Sequence, residues 1–527
     1  MESAVTARTT VGPGTVKRMA YESTSQFPTQ VRETHCATVF FLGDRAYKMK
    51  KPVALGFLDF STPEARRAVC HREVELNRRL APDVYLGVAE VLDTEGTPCE
   101  WLVVMRRMPA ERSLAALVRS GAQVRGQLRD LARQLAAFHA RAERGPRIEE
   151  AGSVRALRER WGSTLAELRT ATGEPLRAEV LAEITTLAQR YLDGREPLFR
   201  ARISAGAVCD GHGDLLAEDV FCLPDGPRAL DCLEFDDRLR WVDGLDDAAF
   251  LAMDLERLDR RDLAAWFLAQ YQEFSGMPCP PSLTDHYIAY RAVVRAKVAC
   301  LRHAQGAAGQ AEQARLLADI ARRHLRAAAP RLVLVGGQPG TGKSTLGGAL
   351  ADRIGAVLLR SDRVRKEIAD RNPLAPSASG WEQGLYSPAH TARTYQELLR
   401  RARHLLGHGE SVVLDASWRD AAERERAGEL AHAVSAALVE LECRVPRALA
   451  DARIRARTAD PSDATTGIAG VMAAHFHPWP RAGVIDTSGP VAGAAEQAAL
   501  ACATPFHHLE APCAPPSAMN STSSTSS

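Results

Sequence analysis

Residues 337–344 read Gly337-Gln338-Pro339-Gly340-Thr341-Gly342-Lys343-Ser344, followed by Thr345. They lie directly after the apolar run RLVLVGG, which begins at Arg331, and directly before a helical pattern. Strand, glycine loop and helix in that order form a phosphate cradle. The glycines let backbone N–H groups turn inward, and the helix amino terminus adds its positive dipole end. Lys343 supplies a point charge, and the Ser344 hydroxyl suits Mg2+. A nucleotide is the ligand such a loop takes.

Working outward, five short β-rich runs follow Pro330: RLVLVGG, AVLLRSD, SVVLDAS, AALVELEC and AGVIDTSG. They alternate with helical stretches, which predicts a five-stranded, doubly wound parallel sheet over 331–505. Ligands of such sheets bind beyond the carboxyl ends of the strands. Asp362 and Asp415 stand at two of those ends. Asp415 suits a place near Mg2+ or its water, and Asp362 suits a proton acceptor for a substrate hydroxyl. An aspartate between strand and helix also serves as an N-cap, so both readings stand for each. Arg453 and Arg457 lie four apart on one helix face, either clamping phosphates or solvated.

Through GQPGTGKS, SDRVRKEI and SVVLDAS, residues 331–500 resemble the P-loop small-molecule kinases of the AAA type, including gluconate-kinase-like and zeta-toxin-like members. The resemblance implies an ATP site at the loop. It also implies an aspartate-arginine pair near the acceptor, matching Asp362 and Arg365.

The preceding part of the chain follows a different plan. Ala37 to Pro52 holds two β-rich runs around Gly43-Asp44, a hairpin signal that puts Lys48 on the second strand. Residues 62–80 are helical in pattern, and further strands come before a long run of helices. Strands first and helices after predict an α+β module with a sheet lobe and a helical lobe.

Two acidic groups come next: HGDLLAED at 212–219, and RALDCLEFDDRLR at 228–240, with Asp231, Glu234, Asp236 and Asp237. Phosphoryl transfer needs a carboxylate to orient the attacking hydroxyl and oxygen ligands for Mg2+. Asp214 suits the first role. Asp219 and Asp231 suit the second, Asp231 being preferred over Glu234 and Asp236. Lys48 suits the lysine that grips the α and β phosphates, and Glu73 its ion-pair partner.

Through AYKMKKP, HREVELNRRL, HGDLLAED and LDCLEF, residues 30–260 resemble the aminoglycoside-phosphotransferase-like members of the protein-kinase-like superfamily. Leu216 and Asp219 stand where that family usually has His and Asn. Thr34 to Thr38 (THCAT) replaces its glycine-rich loop. Tyr287, Arg291, Arg295 and Arg302 share one helix face, read as solvated.

The expected organisation is a disordered 1–24, a kinase-like domain over 25–285, a helical connector over 286–330, a P-loop domain over 331–505 and a disordered tail over 506–527. The 527 residues suit two to four domains. Hydrophobic residues at 46% and charged residues at 25% exclude fibrous and membrane compositions. A net charge of +2 gives no field to gather nucleic acid. No apolar run spans a bilayer and the amino terminus has no secretory core, so a cytoplasmic protein without membrane or nucleic-acid partner is expected. The 11 cysteines show no metal-site spacing. Only seven lysines stand against sixty arginines, so Lys48 and Lys343 are conspicuous where a compact ammonium is needed.

The expected activity is ATP- and Mg2+-dependent phosphate transfer to a small-molecule hydroxyl, with two nucleotide sites. The alternative is a nucleotide-gated regulatory protein with a non-catalytic kinase-like module and a P-loop ATPase switch. Acceptor identity and oligomeric state stay open.

Overall fold

Around Gly43-Asp44 the strands Ala37–Leu42 and Arg45–Lys50 pair antiparallel, with Leu42 opposite Arg45. The structure is a computed structural model and describes residues 7–10, 16–19, 30–34, 36–55, 58–170, 175–372, 383–456 and 466–503. The hairpin sits in a seven-stranded sheet ordered Val16–Met19, Ala7–Thr10, Tyr85–Leu92, Pro98–Arg106, Arg45–Lys50, Ala37–Leu42 and Gln30–Glu33. The unstructured amino terminus expected over 1–24 is therefore corrected at Ala7–Thr10 and Val16–Met19. Ala7–Thr10 finds backbone partners on the sheet edge at Ala89–Val91, a pairing no local pattern announces. The expected tail, 506–527, lies outside the described residues.

One helix, Pro63–Asn77, covers the sheet. Thr62 caps it by accepting the Ala65 N–H at 3.2 Å, and Pro63 occupies the first turn where its missing N–H costs nothing. Cys70 and Val74, four apart, pack with Val84, Tyr85, Val88, Trp101 and Val103 into a closed apolar cluster. That packing turns Glu73 inward as well.

Helices follow, as the order of patterns predicts. Gly244–Arg257 is buried along nearly its whole length, through Phe250, Leu251, Met253 and Leu255. The helices Pro281–Ala304 and Gln310–Ala328 pack on each other, and Pro281–Ala304 also packs on Gly244–Arg257 and Val154–Thr170. This corrects the connector expected over 286–330. Tyr287, Ile288, Val293 and Ala296 are buried, so these helices are core.

The chain divides into two compact units, Met1–Pro330 with His404–Glu410, and Arg331–Arg403 with Ser411–Ser527. The second contains a five-stranded sheet in the order Val357–Arg360, Val412–Asp415, Arg331–Gly336, Ala437–Arg444 and Gly483–Asp486. All its pairings are parallel, and its strands are the five expected runs. Val333, Val335, Leu346, Val413 and Leu441 form the sheet-to-helix core, which explains why these strands read as continuous apolar runs.

Candidate functional site

In the first unit Lys48 and Lys50 alternate along one strand, so both ammonium groups leave the same face. Glu73, fully buried on Pro63–Asn77, lies between them: Lys48 Nζ donates to Glu73 Oε1 at 2.8 Å, and Lys50 Nζ stands 2.7 Å from Glu73 Oε2. Lys48 Nζ also donates to Asp231 Oδ1 at 2.5 Å, and Lys50 donates to Glu234. Burial opposes the Lys48 charge, but Asp231, Glu73 and Glu234 outweigh it and hold its pKa well above the ordinary lysine value. Glu73, whose own burial opposes ionisation, is kept below the usual carboxylate range by the two lysines.

The segment His212–Asp214 is held by Gly244–Arg257 directly and by Arg291 of Pro281–Ala304. Asp247 accepts the His212 N–H at 2.7 Å and the Gly213 N–H at 2.8 Å, and a ring nitrogen of His139 lies 3.0 Å from its Oδ2. Asp246 is paired with Arg291 at 2.7 and 3.0 Å, and Arg291 donates to the Gly213 carbonyl at 3.2 Å. Gly213 has φ of 88°, a left-handed conformation in which a Cβ would sit 3.1 Å from the Leu233 side chain. The Asp214 N–H can only donate to His212 Nδ1, at 3.4 Å, so Nε2 carries the proton and donates to the Leu230 carbonyl at 3.1 Å. Burial lowers the His212 pKa and favours that neutral ring.

Asp214 is thereby presented with its pKa raised to about 6 by burial. Arg295 Nη1 stands 3.9 Å from its Oδ1. The solvated face read for Tyr287, Arg291 and Arg295 is thus corrected: Tyr287 and Arg291 are buried, and Arg295 faces Asp214. Helical spacing identifies a face, but the surrounding packing decides what it meets.

Asp219 and Asp231 are brought together by the Leu230 N–H, which donates to the Asp219 carbonyl at 2.9 Å. Asp231 takes φ of 64°, a conformation aspartate tolerates, and its half-exposed carboxylate reaches Lys48. Lys48 draws the Asp231 pKa down to about 2. Burial, then the charges of Asp231 and Asp214, push Asp219 well above the usual range. Of the acids after Leu230, Glu234 is taken by Lys50, and Asp236 caps the Arg238 N–H at 3.0 Å. Among the described residues no three His, Cys, Asp or Glu side chains form a metal cage. Two neighbouring carboxylates, one of them paired with Lys48, nevertheless suit Mg2+, which binds through one or two carboxylates plus phosphate oxygens. In place of a glycine-rich loop, the turn after Gln30–Glu33 is closed by Thr34, whose N–H and hydroxyl donate to the Ala37 carbonyl at 2.8 and 3.0 Å.

In the second unit a cavity of about 660 Å³ opens at the carboxyl ends of the parallel strands. Pro339, Gly340, Gly342, Lys343, Ser344 and Thr345 line it, as do Asp362, Arg365, Asp415 and Arg453. Gly337, Gln338 and Thr341 shape the loop: Thr341 Oγ1 donates to the Gln338 carbonyl at 2.8 Å, Lys343 Nζ to the same carbonyl at 3.2 Å, and the Gly337 N–H to the Ser417 carbonyl at 3.3 Å. Gly340 has φ of 79°, and a Cβ there would lie 2.5 Å from the Ala450 carbonyl oxygen.

Asp415 pairs in register with both Val335 and Arg360, level with the end of the loop strand, and accepts from Arg360 Nε at 3.3 Å. It is no helix cap, because Asp420 caps the next helix through the Ala422 N–H at 3.0 Å. Asp362 lies in the first turn of Ser361–Glu367. Arg365 is buried and committed to the Leu385 carbonyl at 2.9 Å, the Thr391 hydroxyl at 3.1 Å and the Tyr386 ring. Arg453 donates to the Thr487 carbonyl at 2.9 Å. Arg457 lies outside the described residues.

Residues 332–479 match the family described as AAA domain. Over 460 residues the chain is 47% identical to the uncharacterized protein Rv2004c of Mycobacterium tuberculosis, covering 87% of this chain and 92% of that one. The uncharacterized protein Mb2027c of Mycobacterium bovis matches to the same extent. The chain belongs to this family. Among solved structures, a putative kinase from Chloroflexus aurantiacus is 21% identical with a TM-score of 0.27, covering 33% of this chain and 98% of that one. A choline/ethanolamine kinase family protein from Mesorhizobium loti is 15% identical with a TM-score of 0.36, covering 58% and 94%. The match to these relatives spans both units, the first carrying the Lys48–Glu73 pair and the second the glycine loop. Among the described residues no helix is long and apolar enough to cross a membrane.

Sequence reading passed over Lys50, Asp246 and Asp247. The two-residue spacing from Lys48 signals Lys50. Nothing local distinguishes Asp247 from any aspartate opening a helix.

Proposed function

We propose that the chain is an ATP- and Mg2+-dependent phosphotransferase with two nucleotide sites, passing the γ-phosphate to a hydroxyl of a small molecule in the cytoplasm. The observation that carries this reading is the position of Lys48 Nζ, 2.8 Å from Glu73 and 2.5 Å from Asp231, in the same unit as the loop that presents Asp214. Lys48 grips phosphate oxygens, and Glu73 fixes its direction. Asp214 orients the acceptor hydroxyl and takes its proton, a role suited by a pKa of about 6, close to the working pH. Asp219 and Asp231 would hold Mg2+, which neutralises phosphate charge when bound. Arg295 lies where it steadies negative charge beside Asp214.

In the second unit Lys343 and the loop N–H groups cradle phosphates, with Ser344 and Asp415 on the Mg2+ side. Asp362 accepts the acceptor's proton, and Arg365 and Arg453 border the transferring phosphate. A regulatory protein with a silent first unit is the alternative.

Magnesium-dependent ADP release by the whole chain, Asp214→Asn and Lys343→Ala, against a panel of aminoglycosides, sugars, polyols and nucleosides, tests both readings. Acceptor-stimulated release lost in Asp214→Asn supports transfer by the first unit. Slow release that no acceptor stimulates and that only Lys343→Ala removes would overturn it in favour of the ATPase switch.

A further inference from the structure

Glu73 is fully buried, and each of its oxygens faces a different lysine: Oε1 accepts from Lys48 at 2.8 Å, and Oε2 lies 2.7 Å from Lys50 Nζ. The two lysines differ in setting. Lys48 also reaches Asp231, whose carboxylate is half exposed, and it borders the space where phosphates are to bind. Lys50 is 1% exposed and closed in by Glu73, Glu234 and the Phe60 ring, whose centroid is 5.6 Å from its Nζ.

A lysine that grips a nucleotide must give up part of its hold on protein carboxylates. If Glu73 depended on Lys48 alone, that move would strip a buried carboxylate of its counter-charge, an arrangement low-dielectric surroundings penalise. Lys50 removes the conflict. It stays on Glu73 whichever way Lys48 turns, and Glu234 keeps it in place. Resting on the nucleotide site proposed above, we propose that Lys50, anchored by Glu234, is a positioning residue that holds Glu73 permanently paired and so frees Lys48 to pass from Asp231 to a nucleotide phosphate.

The full chain carrying Lys343→Ala, so that calorimetric titration with MgATP reports on the first unit, provides the test. Lys50→Met/Glu234→Gln removes the second pair without leaving Glu234 charged and alone. Its thermal unfolding midpoint is expected to stay near that of its parent while MgATP binding weakens tenfold or more, because Lys48 must now serve Glu73. Adding Glu73→Gln to that double variant is expected to recover at least threefold, a gain that a structural role for Lys50 would not produce. Binding by the double variant within threefold of the parent, or no recovery in the triple, would overturn the proposal. Should the double variant fail to fold, Glu234→Gln alone decides: Lys50 then loses its anchor and holds Glu73 less firmly, and MgATP binding is expected to weaken two- to threefold, whereas unchanged or tighter binding would overturn it. Lys48→Met separates the two layers. If Lys48→Met binds MgATP like its parent, the nucleotide site itself falls and Lys50 with it. If Lys48→Met loses binding while Lys50→Met/Glu234→Gln keeps it, only the positioning role falls.

Discussion

The Asp247 carboxylate, fully buried on the helix Gly244–Arg257, accepts the Gly213 N–H at 2.8 Å across 34 residues of sequence. With the second N–H, from His212, it grips the loop that presents Asp214, while Asp246 reaches the same loop through Arg291. One helix therefore decides where the proposed base stands. Asp247 acts through backbone groups and Asp246 through one arginine.

Replacing Asp247 with Ala leaves the His212 and Gly213 N–H groups buried without an acceptor and takes the carboxylate from His139 Nε2. The loss is expected to be about 3–5 kcal/mol, the range for breaking a buried charged pair. Urea unfolding measures it, and a change below about 1 kcal/mol would show that the loop holds itself. Burial opposes ionisation of Asp247, but His139 and the hydrogen bond from the His212 N–H outweigh burial and hold its pKa below the usual carboxylate range. A depressed carboxylate contributes stability that is complete above its unfolded-state pKa, near ~3.9, and is lost as pH falls further. Asp247→Asn is expected to flatten that acid limb.

Asp214→Asn is expected to lower acceptor phosphorylation by about 10²–10⁴-fold, the usual worth of a general base, while MgATP binding stays within about threefold. In the unsubstituted chain the rate should rise with a midpoint near pH 6, as the buried Asp214 carboxyl ionises. The stability sign is opposite to that of Asp247. A raised carboxyl holds its proton more tightly when folded, so its contribution declines as pH climbs from ~3.9 through about 6. Initial-rate measurements from pH 5 to 8 check the first statement, and a flat profile would remove Asp214 from the role of base.

Gly340→Ala places a methyl group 2.5 Å from the Ala450 carbonyl oxygen in a backbone with φ of 79°. The loop must shift, and nucleotide binding in the second unit is expected to fall at least about tenfold, equivalent to roughly 1.4 kcal/mol. Titration with MgATP in a Lys48→Met background isolates that unit. Retained affinity would mean that this loop shape is not required.

Lys343→Ala removes the only ammonium among the described residues lining the 660 Å³ cavity. Its Nζ rests on the Gln338 carbonyl at 3.2 Å, inside the loop it serves, so the fold should tolerate the change. Binding in the same background is expected to drop at least about hundredfold, with the unfolding midpoint moved by less than about 2 °C. Undiminished binding would detach the nucleotide from this loop.

The sequence by itself determined the features that neighbouring residues settle among themselves. RLVLVGG followed by GQPGTGKS specifies strand, loop and helix because apolar periodicity, glycine conformations and a helix start are local properties. The hairpin around Gly43-Asp44 and the five parallel strands were legible for the same reason. So was Lys48, a lysine retained among arginines.

Only the tertiary structure decided the pairing of charges. That Glu73 serves two lysines, that Asp247 holds a loop 34 residues away, and that Arg291 is buried on Asp246 rather than solvated all depend on which helix packs where. The amino-terminal strands follow the same rule, since the edge at Ala89–Val91 exists only once the sheet has formed. Backbone preference is written into adjacent residues. A buried charge takes its partner and its pKa from groups that packing brings near and from the water that packing removes.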